Sequence, residues 1–214
     1  MKNFQYLFVL LLIFSSSTFQ AQVDVGSWTS FSLNYKANDK LVLTAKPIAR
    51  HVSDLSKYSD TSIDFILNYK INSAWSGTLL NRHFFIPDGG DRQFWFIDLN
   101  YKFPIVEKIT FANKLRYHLA VNWNRDDTDF IRYHPNFSFK TKSRITPFVG
   151  MELFYRITDV RVLSGGRYVA GFHLPFKKKF KLTLQYWRQA KFDDENHPLG
   201  ESHIILTNIA YNLN

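Results

Sequence analysis

The chain contains no cysteine, and this absence removes several classes of protein. Without thiols it can form no disulfide and no cysteine-ligated zinc site, and it can use neither thiol catalysis nor the acylated N-terminal cysteine of a lipoprotein. No stretch after residue 22 has helical periodicity, and no linker rich in Pro, Gly or Ser divides the 214 residues. We therefore expect one domain without helices.

The N-terminal segment has the features of a secretory signal. Lys2 supplies the positive start, residues 6–14 are uninterrupted and apolar, and small polar residues follow at 15–18. The apolar run is too short to cross a bilayer as a helix. We expect a signal peptide over residues 1–22, cleavage near Ala21, and a mature domain over residues 23–214.

Acidic residues are scarce relative to basic ones. The 27 Lys and Arg against 18 Asp and Glu leave a formal charge of +9, scattered along the chain rather than gathered in one patch. An exported protein rarely meets nucleic acid, so we expect no nucleic-acid partner. Outer-membrane lipids, lipopolysaccharide phosphates or a basic barrel interior account better for the excess.

Apolar and polar side chains alternate with a period of two along nearly the whole chain after residue 22. This period is typical of β-strands with two different faces. About eleven candidate strands of roughly ten residues can be counted, the length that crosses a bilayer when tilted. The clearest apolar faces are Phe31, Leu33, Tyr35; Ile63, Phe65, Leu67, Tyr69; Trp95, Ile97, Leu99, Tyr101; and Ile205, Ile209, Tyr211.

The connections between these strands differ in length. Short turns at one rim and long loops at the other are typical of outer-membrane barrels. We predict an all-β transmembrane antiparallel β-barrel of 10 to 12 strands, with ten or twelve favoured over eleven because wholly antiparallel closure needs an even number. The predicted turns are 37–40, 72–74, 141–143 and 177–179, and the predicted long links are 51–60, 86–92, 123–129, 157–166 and 191–201.

Alternation alone does not say which face lies inside. A soluble secreted β-domain would bury the apolar face and expose the polar one. Long strands, an aromatic content of 17% and tyrosines at strand ends favour a barrel in a Gram-negative outer membrane, with its apolar face outward. The predicted girdle residues are Tyr35, Tyr69, Tyr101 and Tyr211.

Several strand motifs resemble the domain-of-unknown-function 2490 family of predicted outer-membrane β-barrel proteins. The motifs are residues 113–117, 131–133 and 147–155, with Trp28-Thr29, Arg167-Tyr168, Gly171 and Ala210-Tyr211. The chain departs from the family pattern at Lys114, where Arg is usual, and at Asn214, where an aromatic or aliphatic ending is usual. The resemblance implies fold and location, and it carries no activity.

The polar face supplies the candidate functional residues. Basic side chains outnumber acidic ones there, and a buried charge is costly unless it is paired. We therefore expect Glu152 to lie among arginines in a lumen network of Glu152, Arg116, Arg132, Arg167, Asp98 and Lys114. Such a network predicts a structural role or a narrow anion-preferring pore, with Arg as the donor to a bound anion.

An outer-membrane lipid-modifying enzyme is the alternative from another class. Its weak catalytic candidates are His118, His134 and Ser138, which share a polar face without a motif spacing. Acidic residues near 126–129 and 193–197 lack the ligand order of a calcium loop. We expect no cofactor and no metal, and the sequence names no protein partner.

Overall fold

The computed structural model describes residues 23–87, 90–121, 129–157, 162–193 and 197–214. The predicted signal segment, residues 1–22, lies outside the described residues. Within the described part of the chain, no helix is long and apolar enough to cross a membrane.

The described residues form eleven β-strands. They are β1 (Val23–Lys36), β2 (Leu41–Val52), β3 (Lys57–Lys70), β4 (Trp75–Phe85), β5 (Arg92–Val106), β6 (Ile109–Val121), β7 (Phe130–Phe139), β8 (Thr146–Arg156), β9 (Val162–Lys177), β10 (Phe180–Phe192) and β11 (Pro198–Asn212). Each strand pairs antiparallel with its neighbours in the sequence, and β1 pairs with β11 to close a barrel. The predicted all-β barrel and the count of eleven strands are confirmed.

Closure of an odd number of strands requires one parallel pair, and it is β1 with β11. The pairing is continuous from Val23 opposite Glu201 to Asn34 opposite Asn212. The preference for ten or twelve strands is therefore wrong, because a parallel seam removes the need for an even number. The seam also places the first residue of β1 and the last residue of β11 at opposite rims.

Polar side chains fasten this seam from within the lumen. The hydroxyls of Ser30 and Ser32 each donate to Oδ1 of Asn208 at 2.9 Å. Asn214, the residue that departs from the family pattern, accepts from the backbone N–H of Lys36 at 2.9 Å and donates to its carbonyl at 2.8 Å. In a parallel closure, this amide continues the hydrogen bonding beyond the end of β11.

The two rims of the barrel have connections of different length. The turn end carries the links 37–40, 71–74, 107–108, 140–145 and 178–179, and the loop end carries 53–56, 86–91, 122–129, 157–161 and 193–197. Four predicted long links are shorter than expected because residues at the rim still pair, as Arg50 does with Asp60 and His51 with Tyr58. Backbone pairing needs no apolar side chain, so the strands extend beyond the alternating segments.

The two faces of the wall differ in chemistry at every strand. Phe65 is 58% exposed and Ile97 is 59% exposed, whereas Asp64 and Asp98, their neighbours in sequence, are 1% and 4% exposed. Apolar side chains therefore cover most of the outside, and the lumen holds the buried charged side chains together with apolar ones such as Ile48, Leu80 and Val169. The predicted girdle tyrosines lie on the outside near the turn end, where Tyr101 contacts Trp75 at 4.5 Å between ring centroids.

One glycine shows how closely the lumen is packed. A Cβ atom on Gly171 would lie 2.3 Å from the carbonyl oxygen of Leu184 and 2.9 Å from the ring of Phe148. Only glycine fits beneath this ring, so the family motif around Gly171 reflects a close contact between strands.

Candidate functional site: the basic loop-end lumen

Four lumen carboxylates, those of Asp60, Asp64, Asp98 and Glu152, each lie against an arginine on the neighbouring strand. Nε and Nη2 of Arg82 donate to the two oxygens of Asp64 at 2.6 and 2.7 Å. Arg116 holds Asp98 by the same two contacts at the same distances. These residues are direct register partners across β3/β4 and β5/β6, so the strand pairing itself brings the charges together.

Two further ion pairs follow the same rule. Arg50 pairs with Asp60 across β2/β3, and Arg167 pairs with Glu152 across β8/β9. Glu152 is 3% exposed and Arg50 is 5% exposed, so both pairs are removed from bulk water. Arg50 holds Asp60 through Nη1, and both Nε and Nη2 of Arg167 contact Oε2 of Glu152. These charge-assisted contacts neutralise the carboxylates inside the narrow lumen.

Arginines and aromatic rings alternate along the first half of the lumen wall. The guanidinium carbon of Arg50 lies 4.7 Å from the ring centroid of Trp28 and 4.8 Å from that of Phe84. Arg82 lies 5.7 Å from Phe84 and 5.5 Å from Phe96. A cation over a ring face is attracted by the ring quadrupole, so Phe84 stabilises both Arg50 and Arg82.

The alternation continues through β6, β7 and β8. His118 stacks on Phe96 at 4.5 Å and on Phe130 at 5.7 Å between centroids. Arg132 then lies 5.9 Å from Phe130 and 4.9 Å from Phe154. His118 thus takes the place of a cation between two phenylalanine rings.

Two tryptophans complete the circuit. Arg167 lies 5.1 Å from Phe154 and 3.9 Å from Trp187, and Trp187 meets Trp28 edge-on at 5.0 Å. The contacts therefore run once around the lumen. We call this set the arginine–aromatic ring: Trp28, Arg50, Phe84, Arg82, Phe96, His118, Phe130, Arg132, Phe154, Arg167 and Trp187.

A cavity of about 570 Å³ lies against this ring on the side of the loop end. Most ring residues line it, and residues near the loop-end rim, such as Val52, Lys191 and Leu199, complete the lining. This volume is typical of sites for small organic ligands. We call it the loop-side cavity.

Arg132 differs from the other arginines of the ring. Within the described residues, no carboxylate lies at ion-pair distance from Arg132. Its Nη2 contacts Nδ1 of His118 at 3.0 Å, and its Nε is buried without a partner. Because a guanidinium only donates, Nδ1 of His118 accepts this bond and the proton of the neutral imidazole sits on Nε2.

The predicted network residues occupy a common region of the lumen in separate contacts. Asp98 pairs with Arg116, Glu152 pairs with Arg167, and Arg132 turns to His118. Lys114 faces Asn100 and His134 in the register of its neighbouring strands. The lumen thus combines ion pairs with cations that have no carboxylate of their own.

The structure does not bring His118, His134 and Ser138 together. His118 on β6 is the register partner of Phe130 on β7. Phe130, His134 and Ser138 follow one another on β7 at intervals of four residues, and each interval is about 13 Å along the strand. The hydroxyl of Ser138 donates to Asn136 at 3.3 Å. A shared proton relay needs contacts of about 3 Å, so no such relay exists in this arrangement.

No metal site is found among the described residues. No group of three or more His, Cys, Asp or Glu side chains in that part of the chain could hold an ion. Asp193 and His197 pair with each other at 3.2 Å, whereas Asp126, Asp127, Asp194 and Glu195 lie outside the described residues.

The aromatic members of the ring were missed by reasoning from sequence. Their signal is a local break in alternation: at 84–85, 94–97 and 154–155, consecutive residues are apolar, so one aromatic side chain must enter the polar face. These breaks all lie near the loop end. At each of these breaks an inward phenylalanine ring contacts an arginine guanidinium.

Comparison with known proteins yields a family and no function. A family model described as "Protein of unknown function (DUF2490)" matches residues 25–199. Neither a curated protein nor a solved structure matches the chain.

Proposed function

The chain belongs to the DUF2490 family of proteins of unknown function, and from this premise we propose that it is an outer-membrane β-barrel with an anion-accepting lumen. The observation that carries the proposal is the partition of the wall into an apolar outer face and a charged inner face.

The outer face supports a place in a bilayer. Apolar side chains such as Phe65, Leu67, Ile97 and Leu99 are exposed on strands of ten to sixteen residues. Closure of the barrel pairs the backbone groups of every strand on both sides, as the hydrocarbon core of a membrane requires. The partners on this face are then outer-membrane lipids and, near the loop end, lipopolysaccharide.

The lumen supports a preference for anions. Asp60, Asp64, Asp98 and Glu152 are each paired with an arginine, whereas Arg132 has no ion-paired carboxylate within the described residues. Inward positions also carry Lys46 and Lys114, for which the same holds. A narrow, basic interior favours an anion over a cation of the same size.

Fractionation tests the location. The full chain, expressed in a Gram-negative cell, should appear in the outer-membrane fraction with the signal segment removed. It should also need detergent for extraction and migrate differently on gels before and after heating. Recovery from the periplasm or the medium without detergent would support a soluble secreted β-domain instead.

Planar bilayers test the lumen. Purified protein in a potassium chloride gradient should give small currents whose reversal potential lies towards that of chloride. A reversal potential towards potassium would contradict an anion-accepting lumen. The absence of any current would reduce the proposal to a filled barrel with a structural role.

A further inference from the structure

We propose that the loop-side cavity binds an organic oxyanion, namely a phosphate or carboxylate group carried on a small apolar body. The inference deepens the proposed function, because it names the class of anion that the lumen accepts. It rests on the charge, the unpartnered donors and the aromatic lining of one cavity.

The charge of the lining is strongly positive. Among the described residues, six cationic side chains line the cavity against the two carboxylates of Asp24 and Asp60. Asp60 is paired with Arg50, and Asp24 accepts a hydrogen bond from the backbone N–H of Asp54 at 3.3 Å. Arg82 and Arg167 are paired with Asp64 and Glu152, so Arg132 is the arginine of the ring that the described residues leave without a carboxylate, and an anion in the cavity would meet it.

Three side chains of the lining also hold buried donors without an acceptor. They are Nη2 of Arg50, Nε of Arg132 and, in the tautomer fixed by Arg132, Nε2–H of His118. A buried polar group without a partner is costly, because folding removes its hydrogen bond to water and supplies none in return. All three lack an acceptor rather than a donor. Each atom is covered by its neighbours, so an oxyanion in the cavity, which supplies acceptors only, would satisfy them once these side chains turn towards it.

The aromatic lining requires more than an inorganic ion. Phe84, Phe94, Phe96, Phe130 and Phe154 all line the cavity, together with Trp28. A bare phosphate would leave these rings in contact with water. A cavity of about 570 Å³ has room for an apolar group beside the charged one.

The geometry also names the residue whose loss should matter most. Arg132 lies over Phe154, contacts His118 and neutralises no carboxylate within the described residues. Its replacement by Gln leaves no buried carboxylate without a partner, unlike a change at Arg82 or Arg167. Arg132 can therefore be tested for binding with little damage to the fold.

Isothermal titration calorimetry on the purified full chain in phosphatidylcholine nanodiscs tests the proposal. The probes are phenyl phosphate, benzoate, inorganic phosphate and benzyl alcohol, and empty nanodiscs provide the blank. Phenyl phosphate and benzoate should bind, inorganic phosphate should bind at least about tenfold more weakly, and benzyl alcohol should not bind. Equal affinity for phenyl phosphate and inorganic phosphate would overturn the role of the aromatic lining.

Variants locate the site. Arg132→Gln should weaken phenyl phosphate binding by at least about tenfold. Arg144→Gln is the matched control, because Arg144 is exposed in the link between β7 and β8 at the turn end. The Arg144→Gln protein should bind phenyl phosphate with the affinity of the unmodified chain. Arg132→Lys keeps the charge without the planar fork and should retain part of the affinity. Unchanged binding in Arg132→Gln would contradict the proposal.

The same preparation separates this inference from the proposed function. One outcome is that the protein selects chloride over potassium in planar bilayers and yet, in nanodiscs, binds neither phenyl phosphate nor benzoate. That result would disprove the proposed binding site and leave the proposal of an anion-accepting barrel standing. If the protein cannot be inserted into nanodiscs or detergent and remains folded in water, the barrel proposal itself fails. Titration of that water-soluble form then decides the site independently.

Discussion

The inner and outer faces of the barrel wall stabilise the fold in different ways, whereas a water-soluble protein relies mainly on one apolar core. On the outer face, large apolar side chains such as Ile97 stand exposed. On the inner face, carboxylates such as Asp64 are almost completely enclosed and are held by arginine forks. Stability inside the barrel therefore depends on electrostatic complementarity, and stability outside depends on the surrounding medium.

The largest effect is expected where an inner ion pair is broken. Asp64→Ala leaves the guanidinium of Arg82 buried without its carboxylate, which costs about 3–5 kcal/mol. Urea unfolding from phosphatidylcholine vesicles, followed by tryptophan fluorescence, measures this loss. An unfolding midpoint equal to that of the original chain would show that the pair contributes nothing.

An exposed ion pair supplies the control for that experiment. Lys36 donates to Asp39 at 2.6 Å in the turn between β1 and β2, and this hydrogen bond lowers the pKa of Asp39. Because Asp39 is fully solvated, water replaces its partner without cost. Asp39→Ala should leave the unfolding midpoint unchanged.

The next effect concerns the outer face. Ile97→Arg places a charge at the middle of the proposed lipid-facing belt, where it costs about 2–4 kcal/mol. The same unfolding assay measures the loss, and Glu107→Arg in the turn between β5 and β6 should be neutral. If Ile97→Arg is tolerated as well as Glu107→Arg, the outer face is in contact with water.

A smaller effect is expected at the parallel seam. Asn208→Ala leaves the buried hydroxyl of Ser32 without its acceptor, at a cost of about 1–3 kcal/mol, whereas Ser30 keeps the carbonyl of Thr207 at 3.2 Å. Adding Ser30→Ala and Ser32→Ala should recover part of that loss, because no donor then remains unsatisfied. A triple variant less stable than Asn208→Ala would argue against this hydrogen-bonded seam.

A disulfide across the seam should have the smallest effect on stability, and it tests the pairing of β1 with β11 directly. Since the chain has no cysteine, Leu33→Cys with Tyr211→Cys forms a clean pair at facing positions of β1 and β11. Oxidation should link them and shift gel mobility with little change in stability. The pair Leu33→Cys with Ile205→Cys is offset by six residues, about 20 Å, and should remain unlinked. The reverse outcome would disprove the register of the seam.

Reasoning from sequence was sufficient for features that depend on one strand at a time. The period of two separates Phe65 from Asp64 and Ile97 from Asp98, and the same alternation counts eleven strands. The arginines of the inner face follow from it as well. A count of eleven implies that the first and last strands run parallel, whereas parity argues for an even number, and the pairing of β1 with β11 decides for eleven.

The arginine–aromatic ring depends on register across many strands, which a single sequence does not display. Trp28 and Trp187 meet at 5.0 Å although they are far apart in the chain, because the seam joins β1 to β11 and β11 to β10. The sequence indicates inward aromatics at 84–85, 94–97 and 154–155, but their order around the lumen follows from strand stagger. The role of Arg132 depends on that order, because the register shows that it is the arginine of the ring without a carboxylate among the described residues.

The orientation of the two faces in a bilayer is tested most directly by a cysteine scan of β5. Single substitutions at Ile97, Leu99 and Tyr101, and at Phe96, Asn100 and Lys102, are spin-labelled in reconstituted protein. Collision with oxygen, which is enriched in lipid, and with a water-soluble nickel complex is then measured by electron paramagnetic resonance. We predict an alternation with a period of two, in which the odd-numbered positions collide with oxygen and are protected from nickel. Odd-numbered positions that collide freely with the nickel complex would contradict a lipid-facing outer wall.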